Sequence, residues 1–456
     1  MIIEFDDGSG FDDTDPRNAY GPYFQRQRVE IYHTYAKSLV ERGLAYPCFC
    51  TEEELDKVRA KQEEDKVLTG YYGEYATCRN LSYEEVEANI KAGKPYVLRL
   101  RSQGSPDKEI TFVDAIKGEI KLPENIHDIV LLKKDGIPTY HFAHAIDDHL
   151  MRTTTVVRGG EWLASAPIHY ELFHLLGFKM PAYAHTAHLM KFDEETGGKR
   201  KLSKRKDPEL SLDYYRKDGY HPYTMKVYLL TLLNSNFEEW HEKFPDKDIN
   251  EFPFSVEKMN QSGALFDKDK LHNICKNELS KLSEEELYDF LYDWAKENEP
   301  ENVEKWFGDR EKMLQILRLY MGVGAKRRRK DLMYAKQIFE LISYFFDGES
   351  AEEMDEFKLD EDMVSKILKS YLAKYDHNDD NSVWFNKLKE IADEHGFASD
   401  MKAYKANPEN FKGNVSDIAE AVRIAVTGRA NTPDLWTIVH IMGEEQMTER
   451  IKKHIK

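Results

Sequence analysis

The stretch Thr155-Val-Val-Arg-Gly-Gly-Glu-Trp162 decides the fold of this chain. Its β-branched run predicts a buried strand that ends at Arg158 and passes through paired glycines into a loop. A helix is predicted from Ser165 to Leu176, and a further short strand from Tyr183 to Leu189. Strand, helix and strand in this order, with polar residues where the strands end, are typical of a parallel sheet whose ligand site lies at its carboxyl edge.

A basic loop, Gly197-Gly-Lys-Arg-Lys-Leu-Ser-Lys-Arg-Lys-Asp207, follows the second strand. Six of the nine residues from Gly198 to Lys206 are basic, and the glycines leave the start of the segment mobile. A segment of this kind suits a polyanion that gains charge during a reaction, such as a triphosphate. The alternative is a basic loop that only faces solvent.

The composition indicates a globular protein of several domains. The chain has 456 residues, which is too many for one hydrophobic core, and its hydrophobic content of 41% is ordinary. Its net charge of −18 argues against a general nucleic-acid binder, although positive charge can still be concentrated locally. Four cysteines do not make a disulfide framework at this length. No apolar run approaches the roughly 20 residues that span a bilayer, and no signal peptide opens the chain, so we expect a cytoplasmic protein with no membrane partner.

The secondary-structure pattern divides the chain into five segments. After the helix pattern of Tyr20 to Gly43, alternating stretches such as Glu109-Ile-Thr-Phe-Val-Asp114 predict a compact α+β insertion. Beyond Pro208 the pattern is helical, with almost no strand signal from Glu301 onward. The predicted segments are 1–46, 47–135, 136–207, 208–300 and 301–456.

Several motifs together resemble one family, the bacterial-type glutamyl-tRNA synthetases. Lys201-Leu-Ser-Lys-Arg205 is similar to the second signature motif of class I aminoacyl-tRNA synthetases. The other motifs that match in order and spacing are Tyr20-Gly-Pro-Tyr, Gly43-Leu-Ala-Tyr-Pro-Cys-Phe-Cys, Gly136-Ile-Pro-Thr-Tyr-His-Phe-Ala-His-Ala-Ile-Asp-Asp-His, Val156-Val-Arg-Gly-Gly-Glu-Trp, Pro167-Ile-His and Gly428-Arg-Ala-Asn-Thr-Pro-Asp-Leu. The resemblance therefore covers nearly the whole chain.

The resemblance implies an α/β plus all-α architecture and a ligase activity. A Rossmann-type catalytic domain (1–46 and 136–207) would hold the α+β insertion, which binds the tRNA acceptor end. A helical stem-contact domain (208–300) and a helical anticodon-binding domain (301–456) would follow. The implied reaction is ATP-dependent activation of L-glutamate to glutamyl-adenylate, with Mg²⁺, and transfer to the 3′ end of tRNA(Glu). A monomer is implied.

The resemblance also implies the amino-acid site. Arg158 would bind the side-chain carboxylate of glutamate and reject glutamine, which suits a planar two-pronged donor. From the residues alone, the alternative is a buried ion pair with Asp147, Asp148 or Glu161.

Aromatic residues would complete that site. The resemblance places Tyr140 and His144 among the glutamate-binding residues, and it places His144 and Trp162 near the adenylate and the tRNA end. Glu161 would bind tRNA with Trp162. The alternatives are a core tyrosine at Tyr140 and packing roles for His144 and Trp162.

Two basic segments would bind phosphates. In the loop, Lys204 would contact the triphosphate with help from Lys201, while Leu202, Ser203 and Arg205 complete the ATP-binding motif. In the helical half, Lys326, Arg327 and Arg328 would contact the tRNA backbone. The alternative for this second cluster is one exposed basic turn.

Three cysteines predict either a zinc site or unligated buried thiols, and the sequence favours the thiols. Cys48-x-Cys50 and Cys78 resemble the zinc-binding insertion of some family members. The fourth ligand would have to come from Tyr72, Tyr75 or Asn80, none of which is a usual Cys or His ligand.

The start of the sequence departs from the family. The family opens with a His-x-Gly-His-type signature and an Arg-x-Glu-Asp-Thr-Asp segment, whereas here Tyr20-Gly-Pro-Tyr follows Phe5-Asp-Asp-Gly almost at once. We therefore expect the first part of the nucleotide-binding sheet to be absent, which leaves an unpaired edge and a chain inactive alone. A misplaced gene start and a split enzyme completed in trans are the alternatives.

Two other functions are compatible with parts of the pattern. A non-catalytic tRNA-binding protein would keep the helical domains, but the intact loop and Arg158 argue against a decayed site. A shorter relative that glutamylates a modified tRNA base lacks the helical part that residues 301–456 form here.

Overall fold

A computed structural model describes residues 20–193, 195–203, 205–261, 263–346 and 354–456. The chain divides into two compact units: Met1–Lys201 with Leu230–Phe266, and Leu202–Leu229 with Asp267–Lys456. The five predicted segments are finer than these units and stay a prediction; the first of them is described only from Tyr20. None of the helices among the described residues is long and apolar enough to cross a membrane.

The elements up to Lys201 alternate between helices and short strands. In chain order they are α1 (Val29–Glu41), β1 (Ala45–Cys48), α2 (Glu52–Glu64), α3 (Tyr83–Lys91), β2 (Val97–Leu100), β3 (Glu109–Asp114), β4 (Gly118–Pro123), β5 (Val130–Leu132), α4 (Tyr140–Leu150), β6 (Thr155–Gly159), α5 (Ala166–Leu176), β7 (Ala182–Thr186), β8 (Leu189–Asp193) and β9 (Gly198–Lys201).

The elements after Lys201 are nearly all helical. They are α6 (Leu212–Asp218), α7 (Pro222–Leu233), α8 (Phe237–Lys243), β10 (Ala264–Leu265), α9 (Lys268–Leu279), α10 (Glu284–Asn298), α11 (Val303–Phe307), α12 (Arg310–Met321), α13 (Ala335–Ile342), α14 (Glu361–Lys374), α15 (Asn381–His395), α16 (Met401–Ala406), α17 (Val415–Thr427), α18 (Leu435–Met442) and α19 (Glu444–Lys452).

The predicted parallel unit is confirmed. Strands β6 and β7 pair in parallel and are joined by α5, with Arg158 opposite His185. The full sheet has the order β4-β3-β7-β6, in which β3 pairs in parallel with β7 and antiparallel with β4. Phe112, Ala166 and Tyr183 form the core between this sheet and α5. The carboxyl ends of β6 and β7 therefore lie side by side, and β3 ends beside Tyr183 of β7.

The strands of the segment 47–135 divide between two sheets. Strands β1, β2 and β5 form an antiparallel sheet of their own, whereas the hairpin β3–β4 joins the parallel sheet. The predicted capping box of α2 is present, since the Thr51 side chain and the Glu54 side chain each accept the backbone N–H of the other residue. The insertion pattern is thus real locally, but its strands are not confined to one sheet.

Helices α1, α4 and α5 pack around a shared core in which Tyr32, Phe142 and Leu172 are fully buried. An ion pair joins the residue just before α1 to α4, because the buried Arg28 Nε donates to Asp147 Oδ1 at 2.9 Å. The same guanidinium donates to the carbonyl of Pro22 at 2.8 Å. The Tyr20-Gly-Pro-Tyr motif is therefore tied to α4.

Two local predictions are wrong. Strand β6 is not buried: it is the edge of its sheet among the described residues, and Val157 is 54% exposed. The basic segment is not a loop throughout, because Gly198–Lys201 forms β9 and pairs antiparallel with β8. Gly197, at φ +68°, makes the turn, and Asp193 accepts the N–H groups of Glu195 and Thr196. This local turn chemistry imposes a hairpin on a sequence with little strand propensity.

The second unit is built from amphipathic helices, as predicted. Its large core takes residues from most of these helices, for example Leu291, Leu317, Ile338, Ile367 and Val422, all fully buried. Side-chain caps begin several helices; Ser283 and Glu286 form a capping box at α10. Within the described residues 267–456 there is no strand.

Candidate active site

The candidate site lies where the parallel strands end. Asp114 ends β3, Arg158 lies one residue before the end of β6, and His185 lies one residue before the end of β7. Because the strands are parallel, their carboxyl ends bring these side chains together. This is the edge at which the sequence predicted a ligand site.

Arg158 is half-buried and held by neutral groups. Its Nε donates to His185 Nε2 at 2.9 Å and its Nη1 to His169 Nδ1 at 3.0 Å. Its Nη2 donates more weakly to the carbonyl of Trp162, at 3.4 Å. No carboxylate of a described residue lies within 4.0 Å of this guanidinium. A half-buried cation is thus left without an anion.

The ion pairs that the sequence offered as alternatives for Arg158 are absent among the described residues, because those carboxylates have other partners. Asp147 pairs with Arg28, as described above. Asp148 lies 3.0 Å from His144 Nδ1, and Glu161 lies 3.3 Å from His188 Nδ1.

The hydrogen bonds assign the tautomers of the surrounding histidines. A guanidinium only donates, so His185 accepts at Nε2 and carries its proton on Nδ1, which donates to Asp114 Oδ2 at 2.6 Å. By the same logic His169 accepts at Nδ1 and donates from Nε2 to His141 Nδ1, 2.9 Å away. Both imidazoles that contact Arg158 are therefore neutral.

Titration follows from the same burial and charges. Burial, with the charges of His144 and Arg158, lowers the pKa of His169 to about 2. Burial also lowers the pKa of His185, although its hydrogen bond to Asp114 opposes this effect. Burial alone would raise the pKa of Asp114, but hydrogen bonds from the Lys117 N–H and from the His185 ring outweigh it, and the pKa is lowered. The carboxylate stays charged and the imidazoles stay neutral near pH 7.

Aromatic side chains form a wall beside the guanidinium. Tyr140 is 47% exposed; its ring stacks on His144 with centroids 5.5 Å apart and contacts Trp162 at 4.6 Å. His144 Nε2 lies 2.8 Å from the Tyr183 hydroxyl. Tyr140 is therefore not a core tyrosine. The structure brings together four of the predicted site residues: Tyr140, His144, Arg158 and Trp162.

This arrangement can bind a carboxylate. Of the five N–H donors of Arg158, three are used by His185, His169 and the Trp162 carbonyl, which leaves one N–H on each terminal nitrogen. A carboxylate, with two acceptor oxygens, can take one N–H from each of these nitrogens. An amide in the same place would turn its own NH₂ toward a donor and leave the cation uncompensated.

The predicted ATP motif is only partly described. Lys201 ends β9, and its Nζ lies 3.8 Å from Glu161 Oε2, with both side chains about half exposed. The Ser203 N–H donates to the buried carboxylate of Asp207 at 2.7 Å, and the Arg205 N–H donates to Ser203 Oγ at 3.4 Å. Leu202 is buried. Lys204, the residue predicted to contact the triphosphate, lies outside the described residues.

The second basic cluster lies between α12 and α13. Lys326, Arg327 and Arg328 are exposed and make no side-chain hydrogen bond or ion pair with another described residue. By contrast, Arg329 pairs with Asp331 at 2.6 Å, and Lys330 donates to Asn277 at 2.7 Å. Three adjacent cations are therefore available to an external anion.

The three cysteines lie close together, and the tyrosine beside them is Tyr71, which was not predicted. The sulfur atoms of Cys48, Cys50 and Cys78 lie within 4.8 Å of one another. The prediction of Tyr72 is wrong, because its hydroxyl donates to the Leu68 carbonyl at 2.6 Å. Its neighbour Tyr71 lies 3.4 Å from Cys48 Sγ and 3.3 Å from Cys50 Sγ. Hydrogen bonds from Cys50 and then Cys78 lower the pKa of the Cys48 thiol.

Three residues of the site were not found from the sequence. Asp114, His169 and His185 come from β3, α5 and β7, so no local spacing links them. Two signals were present. Pro167-Ile-His169 was one of the resembling motifs, and His185 is polar near the end of an apolar strand, where parallel sheets place ligand-binding residues.

Family models match most of the chain. The model described as tRNA synthetases class I (E and Q), catalytic domain, matches residues 7–273. The model described as an anticodon binding domain matches residues 286–455.

Relatives and solved structures agree with these models. The glutamate–tRNA ligase of Acetivibrio thermocellus is 52% identical over 453 residues, covering 99% of this chain and 82% of that protein. The one of Clostridium perfringens (strain SM101) is 46% identical, covering 99% and 82%. A crystal structure of a glutamate tRNA ligase from Elizabethkingia meningosepticum in complex with its amino acid aligns at TM-score 0.72 and 26% identity, covering 95% of this chain and 84% of that one.

Proposed function

Since this chain belongs to the glutamate–tRNA ligases, which are class I aminoacyl-tRNA synthetases, we propose that Arg158 binds the side-chain carboxylate of substrate glutamate. One observation carries the proposal: the guanidinium is half-buried, is held only by neutral groups among the described residues, and keeps one N–H on each terminal nitrogen that these three contacts do not use. A bound carboxylate would supply the missing negative charge. Glutamine would not, which gives the ligase its choice of amino acid.

The aromatic wall would shape the rest of the amino-acid pocket. Tyr140 and His144, stacked on each other, would lie along the glutamate backbone and the adenylate. Trp162 contacts Tyr140 and also offers its carbonyl to Arg158, so it would join the amino-acid site to the tRNA end. Glu161 would take part at that end.

ATP with Mg²⁺ would supply the adenylyl group that activates glutamate. The glutamate α-carboxylate attacks the α-phosphate and pyrophosphate leaves, so the protein's task is positioning and charge neutralisation. Lys201, whose Nζ lies 3.8 Å from the exposed carboxylate of Glu161, would exchange that weak ion pair for the triphosphate. Lys204 and Arg205 would add charge, and the Asp207 carboxylate would hold the turn at Ser203.

A glutamate-accepting tRNA is the proposed macromolecular partner. Lys326, Arg327 and Arg328 would contact its phosphates, which fix position without reading sequence. The support is their exposure and the lack of side-chain hydrogen bonds or ion pairs to other described residues.

Zinc is the proposed structural metal. Tetrahedral zinc with Zn–S bonds of about 2.3 Å sets its sulfur ligands about 3.8 Å apart, and Cys50 Sγ lies 3.6 Å from Cys78 Sγ. Cys48, Cys50, Cys78 and the Tyr71 hydroxyl would be the four ligands. The ion would fasten β1 to the loop before α3.

The test is aminoacylation with labelled glutamate by the native chain and by Arg158→Gln. We expect the variant to lose at least about 100-fold in kcat/KM for glutamate, because a charged pair in a partly buried site is lost, and to lose its preference over glutamine. Arg42→Gln, an exposed arginine at the end of α1, is the matched control and should behave as the native chain. An unchanged KM for glutamate in Arg158→Gln would contradict the proposal.

A further inference from the structure

We propose that Asp114 and His185 are positioning residues for Arg158, and that they set the direction in which its free donors meet the substrate. The inference rests on the proposed function of Arg158 and deepens it. The two residues lie behind the guanidinium, and neither is assigned a contact with glutamate or ATP.

The contacts form an unbroken chain from the backbone to the guanidinium. The N–H groups of Ile116 and Lys117 each donate to Asp114 Oδ1 at 2.9 Å, and the His185 N–H donates to Oδ2 at 3.0 Å. Asp114 Oδ2 accepts the His185 ring, whose other nitrogen accepts Arg158 Nε. The side chains of Asp114 and His185 are fully buried. Backbone groups therefore fix the carboxylate, and the carboxylate fixes the ring.

Two fixed contacts determine how the Arg158 guanidinium faces the substrate. A guanidinium is planar, so holding Nε and one Nη1 hydrogen fixes the plane and the aim of every other N–H. His185 and His169 hold these two points from different elements. A negative charge behind an imidazole also strengthens the nitrogen on its far side as an acceptor. Asp114 thus acts on the guanidinium through the ring and not through a direct ion pair.

The energetic reason to keep a neutral ring between the two charges lies in binding. A carboxylate in direct contact with Arg158 would satisfy the cation in the free enzyme and compete with the substrate carboxylate. An imidazole orients the cation without neutralising it. The site is therefore pre-organised, but its charge is compensated only when an external carboxylate arrives.

Two amide substitutions at His185 distinguish its hydrogen bond to Arg158 from its hydrogen bond to Asp114. In His185→Gln the amide oxygen can take the place of Nε2 and accept from Arg158. In His185→Asn the shorter amide can take the place of Nδ1 and donate to Asp114, but it does not reach Arg158. Both remove the ring, so both carry the same loss of packing.

The experiment measures ATP–pyrophosphate exchange with glutamate, Mg²⁺ and tRNA on the full chain. We expect His185→Asn to raise the KM for glutamate about 10-fold or more, with the KM for ATP unchanged, since a hydrogen bond to a charged group is lost. His185→Gln should recover most of this loss. In an Arg158→Gln background, His185→Asn should have no further effect on the KM for glutamate, because it acts through Arg158.

Each outcome decides the matter. Equal kinetics in His185→Asn and His185→Gln, or a parallel rise in the KM for ATP, would overturn the positioning role. So would additive effects of Arg158→Gln and His185→Asn. If Arg158→Gln leaves the KM for glutamate unchanged, the proposed function itself fails. If Arg158→Gln raises it and His185→Asn does not, only the positioning role fails. If His185→Asn does not fold, Asp114→Asn must raise the KM for glutamate, or the proposal is wrong.

Discussion

At the scale of single residues, the site depends on histidines that stay neutral. His169 is fully buried between Arg158 and His141, and a proton on its Nδ1 would face the Nη1 donor of Arg158, so that two donors would meet at that contact. Its neutral state is therefore part of the native structure.

The depressed pKa of His169 makes stability depend on pH. Below pH 6.5 the unfolded chain binds a proton at this residue, whereas the folded chain, with a pKa of about 2, does not. Stability from this residue is thus present above pH 6.5 and is lost as the pH falls. Between pH 7 and pH 5 we expect a loss of about 2 kcal/mol in the native chain that is missing in His169→Asn. Urea unfolding of both at both pH values is the measurement; equal losses would contradict the assignment.

The residue scale also shows what the sequence could predict of the site. Arg158, Tyr140 and Trp162 stand in local motifs, and the structure brings the three side chains together, while their roles stay a prediction. Tyr71 and Tyr72 are adjacent in sequence, and only tertiary packing decides which one turns toward the cysteines. Asp114 joins Arg158 through a third residue on another strand, so no spacing along the chain could reveal it.

At the scale of elements, the parallel pair β6–β7 with α5 was predictable because a β-branched run and an amphipathic helix carry strong periodic signals. The strand β9 was missed, since Gly-Lys-Arg-Lys has no such signal and is paired through the turn that Asp193 stabilises. Turn chemistry outweighs propensity in this hairpin.

The turn that follows β9 depends on one buried carboxylate. Asp207 accepts the Ser203 N–H at 2.7 Å, and its own N–H donates to the Ser203 carbonyl at 2.8 Å. We expect Asp207→Ala to raise the KM for ATP about 10-fold, because a charge-assisted hydrogen bond is lost, and Asp207→Asn to do so less. The KM for glutamate should not change. Equal effects on the two KM values would indicate general unfolding and not a local defect.

The zinc proposed at the cysteine cluster can be measured as the number of zinc ions per chain. We expect about one zinc ion per chain by elemental analysis, and its loss in Cys78→Ser. Cys275→Ser is the matched control. Cys275 lies on α9 and is a buried free thiol that contacts Thr224 of α7. A native chain that contains no zinc after growth in zinc-replete medium would support the alternative of unligated thiols.

At the scale of the whole molecule, the net charge of −18 opposes the binding of a polyanion such as tRNA. Association with a polyanion must rely on local positive patches, and binding through them weakens as salt is added. We expect the triple variant Lys326→Gln, Arg327→Gln, Arg328→Gln to bind tRNA more weakly. Its log–log salt slope should fall by about one unit for each phosphate that the variant no longer neutralises.

The control for this variant carries three substitutions on another surface. Lys402→Gln, Lys405→Gln and Lys412→Gln remove the same charge from exposed lysines near α16 and should leave the slope nearly unchanged. If both triple variants change the slope equally, net charge and not the 326–328 cluster governs binding.

The activation of glutamate at the site around Arg158 is the step on which the proposed function depends. ATP–pyrophosphate exchange by the native chain, with Mg²⁺, tRNA and either glutamate or glutamine, measures this step without the later transfer to tRNA. In contrast to the sequence-based expectation of an inactive chain, the assembled site predicts exchange that requires glutamate, is not supported by glutamine, and falls by at least about 100-fold in Arg158→Gln. Tight binding of tRNA with no exchange under any of these conditions would show that the chain does not activate glutamate.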